Sequence, residues 1–338
     1  MRVGFNPHKD KPLEQSSYLH QVIIPVFIPH FEGYYKDAFT ILDYCLHSLF
    51  QTVHNQTMIT VVNNGSCTTI VDYLNQLFEE QKIQEVIHTE NLGKINAVFK
   101  GLSGNNIPLV TITDSDVLFL NDWQKETVAV FNNFPKAGVV GLVPQIRNFA
   151  YLSNNLIFDK LFSKNLQFTE VKNPEAFKKF YYSIGWSEDY NLDYSRWTLS
   201  IDNKDFRAVV GSGHFVATYK KELFDEIKTF MGYKMGADSE RYLDESPLHK
   251  GLWRLTTNDN YAYHMGNVVE DWMIESLQEN AVDSVEVSML KNQPKAKKIS
   301  RFSFFIKNKL FAKIFDNTTF RKYFYHFKGL PKTVAKNY

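Results

Sequence analysis

The chain alternates between two hydrophobic periods. Residues 21–28 read QVIIPVFI, an apolar, β-branched run that predicts a buried strand. Residues 37–51 place Phe39, Leu42, Leu46, Leu49 and Phe50 at helical spacing, with Asp37 positioned as the N-cap. The alternation then repeats. A strand over 58–62 closes in the turn Asn63-Asn64-Gly65-Ser66, and a helix over 68–82 carries Ile70, Val71, Leu74, Leu77 and Phe78 on one face. A strand over 84–88 leads through a turn at 90–94 into a helix ending near Leu102. A strand over 108–113 (PLVTIT) runs straight into Asp114-Ser115-Asp116, and GVVGLV at 138–143 adds another. Strands alternating with helices predict an α/β fold, a parallel sheet covered on both faces.

Outside this stretch the pattern is weaker. Residues 1–20, with Pro7 and Pro12 and no period, read as an irregular arm. Residues 150–205 are rich in Phe, Tyr and Asn without a clean period and predict an insertion of loops and short helices. Strand character returns over 206–217, a helix is expected over 220–230, 238–250 is mixed, and 253–263 reads as a final strand. No internal repeat or low-complexity linker is present.

Composition narrows the classes. The chain has 338 residues, 44% hydrophobic and 15% aromatic, enough for a sizeable core; 22% charged at net charge +1 excludes disorder throughout. Two cysteines exclude a disulfide scaffold or a cysteine-rich zinc module. Cys45 lies on the apolar helix face and reads as core, and Cys67 sits in a turn. The longest apolar runs, such as 22–28, fall far short of the ~20 residues a membrane-spanning helix needs. The first twenty residues are polar, so no secretory leader is expected, and a cytoplasmic location follows as the expectation.

The near-zero net charge hides an asymmetry. Residues 291–338 hold thirteen Lys or Arg and one acid, Asp316, a net +12 that leaves −11 on the rest. Aromatic and aliphatic residues interleave with that charge, and Leu310, Phe311, Ile314 and Phe315 fall at helical spacing among Lys307, Lys309 and Lys313. Such a basic amphipathic tail suits an anionic membrane surface, while docking on the acidic body is the competing reading. Nucleic acid is not expected as a partner, because no recognition motif accompanies the charge.

Candidate chemistry concentrates at strand ends. Asp114 and Asp116 stand where an apolar strand leaves the sheet, and in open α/β sheets ligands bind beyond the carboxyl ends of the strands. Alternate carboxylates there can share a hard divalent cation such as Mg²⁺ or Mn²⁺. Pro25 ends or interrupts the first strand and exposes backbone groups, Asn63-Asn64 follows the second, and Lys94 stands at a helix start that favours phosphate. Gly211-Ser212-Gly213 lacks the third glycine of a dinucleotide loop and reads as a place of close backbone approach. Tyr181, Tyr182, Trp186, Tyr190, Tyr194 and Trp197 could stack on a sugar or pack in a core or lid.

The run VIIPVF…VVNNGS…NLGKINAVFKGL…PLVTITDSDVLF resembles the nucleotide-sugar half of family 2 glycosyltransferases with the GT-A fold. VVGSGHFVATYKKELFDEI, GADSERYLDESPLHKGLWRL and NDNYAYHMGN resemble that family's acceptor-side strand and helix, its acidic helix ending at a glycine, and its closing strand with a histidine. The resemblance covers residues 21–275 and implies a GT-A-like, Rossmann-type mixed, mostly parallel sheet flanked by helices, followed by the basic helical tail. It divides the chain into an arm (1–20), a nucleotide-sugar-binding half (21–145), an acceptor-binding half (146–285) and the tail (286–338).

The resemblance further implies a transferase that moves a sugar from a nucleoside diphosphate donor, a UDP-sugar first, with Mn²⁺ or Mg²⁺ as cofactor. Asp114 would contact ribose or metal, Asp116 and His264 would ligate the metal, and Pro25, Asn63, Asn64 and Lys94 would line the nucleotide. Asn63-Asn64 replaces the family's usual acidic pair, which makes that contact a neutral hydrogen bond. An inverting reaction needs a carboxylate near the acceptor hydroxyl. Counting back from Gly251, Asp238 fits first, then Glu240, then Asp244; a retaining mechanism stays open if no acid reaches the acceptor. The implied acceptor is a cell-surface glycan or lipid-linked precursor, met by a peripheral protein at the inner face of the cytoplasmic membrane. The rivals are a nucleotidyltransferase, disfavoured because IPHFEGYY after the first strand has one glycine and no Arg, and a non-catalytic membrane-associated binding protein.

Overall fold

A computed structural model describes the chain except residues 1–3, 7, 13–15, 188–189, 228, 235–236 and 281–284; for 237–239 it describes the backbone alone. The amino-terminal half alternates as the periodicity predicts: β1 (His20–Val26), α1 (Ala38–Thr52), β2 (Thr57–Asn64), α2 (Thr68–Glu79), β3 (Glu85–Thr89), α3 (Lys94–Leu102) and β4 (Leu109–Thr113). There follow β5 (Val117–Phe119), α4 (Trp123–Asn133), β6 (Ala137–Gly141), α5 (Asn154–Asp159), β7 (Leu166–Glu170), α6 (Pro174–Ser183), α7 (Asp193–Arg196), β8 (Trp197–Asn203), β9 (Phe206–Val210) and β10 (Val216–Lys220). The body closes with α8 (Ala237–His249), β11 (Trp253–Thr257), β12 (Ala262–His264) and α9 (Asp271–Glu279).

Ten strands form one sheet in the order β3-β2-β1-β4-β10-β6-β11-β9-β8-β7. β1 to β4 are mutually parallel, and seven of the ten strands share one direction, with β10, β9 and β7 opposed. This is a mixed, mostly parallel α/β sheet. Alternation along β1 sends Val22, Ile24 and Val26 to a core with α1 and α2, and Ile23 to a core with α3. Burial on both faces is why these strands read as unbroken apolar runs. Cys45 is in the core, as expected.

Several expectations are corrected. Pro25 does not end the first strand. β1 continues to Val26 against β2, and Pro25 is tolerated because the pairing with β4 stops at Ile23. Asp37 caps α1 by position only, its Oδ2 accepting instead from the Val269 amide at 3.2 Å. Residues 150–205 contribute two strands, β7 and β8, to the sheet edge. The run 206–217 is two strands, broken at Gly211, whose φ of +97° is left-handed and where a Cβ would fall onto the Asn148 carbonyl. The described residues of 220–230 hold only a short 3₁₀ turn, Lys221–Phe224, and 253–263 splits between two sheets. The mixed region 238–250 lies within α8 up to His249.

Residues 288–299 cross the body without helix or strand. Asn132 holds them on both sides, donating to the Met289 carbonyl and accepting from the Lys291 amide. The tail is helical: α10 (Arg301–Phe305), a π-helical turn (Ile306–Leu310), α11 (Phe311–Asp316), α12 (Thr318–Phe327) and α13 (Lys332–Ala335). Phe311, Phe315, Phe324, Tyr325, Leu330 and Tyr338 enter the core beneath the antiparallel end of the sheet. The residues expected to form one amphipathic face therefore divide, Phe311 and Phe315 inward, Leu310 and Ile314 outward.

Candidate functional site

Asp114 and Asp116 follow β4 and lead into β5. The small sheet pairs β5 with β12 antiparallel, His264 opposite Val117, which brings His264 beside Asp116. Their side chains meet at 3.4 Å, His264 Nε2 to Asp116 Oδ2. On the far side of the ring, Nδ1 lies 2.9 Å from Ser183 Oγ at the end of α6. The Ser183 hydroxyl donates its one proton to the Phe180 carbonyl, so it accepts from His264 Nδ1–H. With Nδ1 engaged in this way, Nε2 is the ring nitrogen that faces the Asp116 carboxylate. The other oxygen of Asp116, Oδ1, is buried with no hydrogen-bond partner. Burial, reinforced by Asp114, pushes the Asp116 carboxyl above its usual range although His264 opposes this. The donor set is one of hard oxygen and imidazole, and the orphaned oxygen fits a divalent cation. Among the described residues no three His, Cys, Asp or Glu side chains converge as a metal cage, so a cation here would draw further ligands from substrate or water.

Asp114 takes a different partner. Its Oδ1 receives Lys94 Nζ at 2.5 Å, and the same ammonium reaches Glu240 Oε1 at 3.2 Å. Lys94 opens α3 after Gly93, whose positive φ leaves the chain pressed against the Lys234 backbone. Burial lowers the affinity of Lys94 for its proton, but Asp114 and Glu240 outweigh it and hold the pKa up.

Glu240 passes the charge on. His214, at the turn before β10, sets Nε2 3.2 Å from Glu240 Oε2 and Nδ1 3.4 Å from Asp244 Oδ2. Both ring nitrogens face carboxylates, so the ring donates from both only as imidazolium. Asp244 and Glu240 raise the His214 pKa to about 9, and His214 with Lys94 draws Glu240 down to about 2 against the cost of its burial. Asp244 is spent on Arg254. The two side chains are almost fully buried, Nη1 to Oδ1 at 2.6 Å, and Arg254 holds the Asp244 carboxyl low despite burial. The result is an alternating chain, Arg254–Asp244–His214–Glu240–Lys94–Asp114, running from β11 through α8 to the end of β4.

The model of glycosyl transferase family 2 matches residues 25–237, more than half of the chain. The chain belongs to glycosyl transferase family 2. No curated protein matches it significantly. Among solved structures it is similar to the mannosyltransferase PcManGT from Pyrobaculum calidifontis in complex with GDP-Man and Mn²⁺, with 17% identity over 97% of this chain and 77% of that one, TM-score 0.46. It is also similar to S. aureus TarS 1-349, with 12% identity over 73% of this chain and TM-score 0.43, and spans 60% of that chain. For GalNAc-T7 with UDP, GalNAc and Mn²⁺ the identity is 12%, over 74% of this chain and 44% of that one, TM-score 0.45.

Family membership bears out the resemblance read from the motifs. Of the residues singled out there, the structure brings Asp116 to His264 and Asp114 to Lys94 and Glu240. Asn63 and Asn64 are buried and engaged. Asn63 Oδ1 accepts from the Ser66 amide and its Nδ2 donates to His88, while Asn64 Oδ1 accepts from the Leu92 amide. The side chain of Asp238 lies outside the described residues. Tyr181 packs, its hydroxyl accepting from the Ile146 amide, whereas Tyr182 and Trp186 are exposed. Sequence reading missed Ser183, His214 and Arg254. His214 sits in a quoted motif, but a single histidine before an apolar strand carries no spacing signal.

A cavity of about 740 Å³ lies at the other end of the sheet, where β1 and β4 begin, lined by His20, Leu109, Lys220 and residues 288–295. It is on the wrong side for a ligand carried by the carboxyl ends of the strands.

Proposed function

We propose that this family 2 member is a divalent-cation-dependent glycosyltransferase that moves a sugar from a nucleoside diphosphate donor, a UDP-sugar first, to a glycan or lipid-linked acceptor. The observation that carries the reading is Asp116, with one buried carboxylate oxygen unpartnered and the other facing His264, at the strand edge that also holds Lys94. Asp116 and His264 would hold Mn²⁺ or Mg²⁺, which would neutralise charge developing on the departing diphosphate. Lys94, at the start of α3, would bind a diphosphate oxygen. Asp114 would orient Lys94 and the ribose, and Pro25, Asn63 and Asn64 would line the nucleotide, the two asparagines by shaping their turns.

Acceptor activation falls to α8. As the acceptor oxygen bonds to the anomeric carbon and the bond to the diphosphate breaks, the hydroxyl proton passes to a carboxylate, giving inversion. Glu240 supports that role best among acids with described side chains, because Asp244 is buried against Arg254; Asp238 is the other candidate. Glu240 is a weak base while both Lys94 and His214 hold it. A diphosphate that recruits Lys94 would return basicity to it.

Thermal shift with a panel of nucleotide sugars, with and without Mn²⁺, tests the reading. One donor should raise the midpoint in a metal-dependent way, since a ligand bound only by the native state stabilises it. Asp116→Asn and His264→Ala should each abolish the metal-dependent part. A shift that survives both substitutions would remove these residues from the cation site.

A further inference from the structure

The tail helices bury one apolar face and leave a second in solvent. From 301 to 316 the chain is one helix interrupted by the π turn at Ile306–Leu310. Phe311 and Phe315 of this helix are docked. Phe302 is 75% exposed, Phe305 53%, Leu310 42% and Ile314 44%. These four would not share a face at uniform α-helical spacing, because Phe305 and Leu310 are five residues apart. A π turn closes i to i+5, which brings Leu310 round beneath Phe305. The steps of three before it and four after it then keep all four on one stripe.

Arg301, Lys309 and Lys313 are exposed along the same helix. The next helix repeats the arrangement, with Tyr323 and Phe327 exposed beside Lys322 while Phe324 and Tyr325 are buried. Docking on the acidic body does not account for this outer face. Among the described residues the body already takes the inner face and three of the cations, Lys298 with Glu226, Lys307 with Asp159, and Lys328 with the Lys160 and Ser163 carbonyls.

We propose that the outer face of the tail, Phe302, Phe305, Leu310 and Ile314 flanked by Arg301, Lys309 and Lys313, is a docking surface for anionic lipid bilayers, with Tyr323 and Phe327 as a second anchor. Large apolar groups set among cations, in a stretch (291–338) whose one acid is Asp316, suit the boundary between acidic headgroups and acyl chains. A second copy of this chain would meet the same positive charge, which disfavours self-association. The inference deepens the reading of a lipid-linked acceptor, but it rests on the tail alone and can fail without it.

The test is co-sedimentation of the full chain with phosphatidylcholine vesicles, with and without phosphatidylglycerol. Binding is expected only with the anionic lipid, weakening as salt rises. Phe302→Ser/Phe305→Ser should reduce partitioning about tenfold. Both positions are exposed, so the circular dichroism melt should not change. Lys309→Gln/Lys313→Gln should weaken binding and make it less sensitive to salt. No association of the wild type with anionic vesicles, or binding indifferent to Phe302 and Phe305, would overturn the proposal. So would a wild-type dimer that the Phe double variant converts to monomer, since the occupant would then be a second copy. Nucleotide-sugar thermal shifts, measured on the same variants, should be unaffected and report separately on the transferase reading.

Discussion

His214 shows how one side chain can tie two roles together. It stands between Glu240 and Asp244, and the geometry asks it to be doubly protonated. Its folded pKa of about 9 lies above the ordinary 6.5, so its contribution to stability is fully present below pH 6.5 and is lost as pH rises through 9. Glu240, drawn to about 2 from 4.5, contributes above pH 4.5 and loses its share as pH falls through 2. The thermal midpoint should therefore decline between pH 6.5 and 9 in the wild type, with a flatter profile in His214→Gln. The decline should be modest, because the imidazole is 43% exposed and solvent screens the pair. Identical profiles would mean that His214 is not held as a cation. The sequence carries none of this arrangement. Asp114 and Asp116 are visible because they end a strand; His214 and Arg254 acquire meaning only from carboxylates contributed by α8.

At the scale of elements, local periodicity locates α1, α2, α3 and the first four strands because each is a short-range pattern buried on predictable faces. The close contact between α3 and the sheet is a tertiary fact. A Cβ on Gly101 would meet Ile23 Cγ2 at 2.8 Å and the methyls of Thr60 and Val62 at 3.3 Å, while the Gly101 carbonyl accepts from Gln21. Gly101→Ala should destabilise the fold by about 1–3 kcal/mol through overpacking, against the helix-propensity gain that alanine brings elsewhere. Denaturant unfolding checks this, and an unchanged or raised midpoint would show that the sheet yields at this point. The expected helix over 220–230 fails for a related reason. Leu223 and Phe224 are buried like helix residues, but Met231 is clasped from both sides by the Asn96 amide, which anchors this segment to α3. The split of 206–217 follows from Gly211, where the Asn148 carbonyl occupies the place of a side chain.

At the scale of the molecule, the sheet puts distant segments side by side. β10, late in sequence, lies between β4 and β6, and this carries His214 to the edge where Asp114 emerges. The tail adds its own core. Phe324 is buried, its ring 5.1 Å from Phe315. Phe324→Ala should cost about 3–5 kcal/mol in denaturant unfolding if body and tail unfold together. A loss below about 1 kcal/mol would show that the tail frays on its own. The sequence by itself determined the strand–helix alternation, the acids at the end of an apolar strand, the lysine at a helix start and the basic tail. Each is a property of neighbouring residues governed by backbone period and local charge. Only the tertiary structure decided that Asp116 meets His264 while Asp114 meets Lys94, that Glu240 is shared by two cations, and that the tail keeps one aromatic face in and one out. Those outcomes depend on which strands lie next to each other and on a single π turn, and contacts of that range leave no period in the chain.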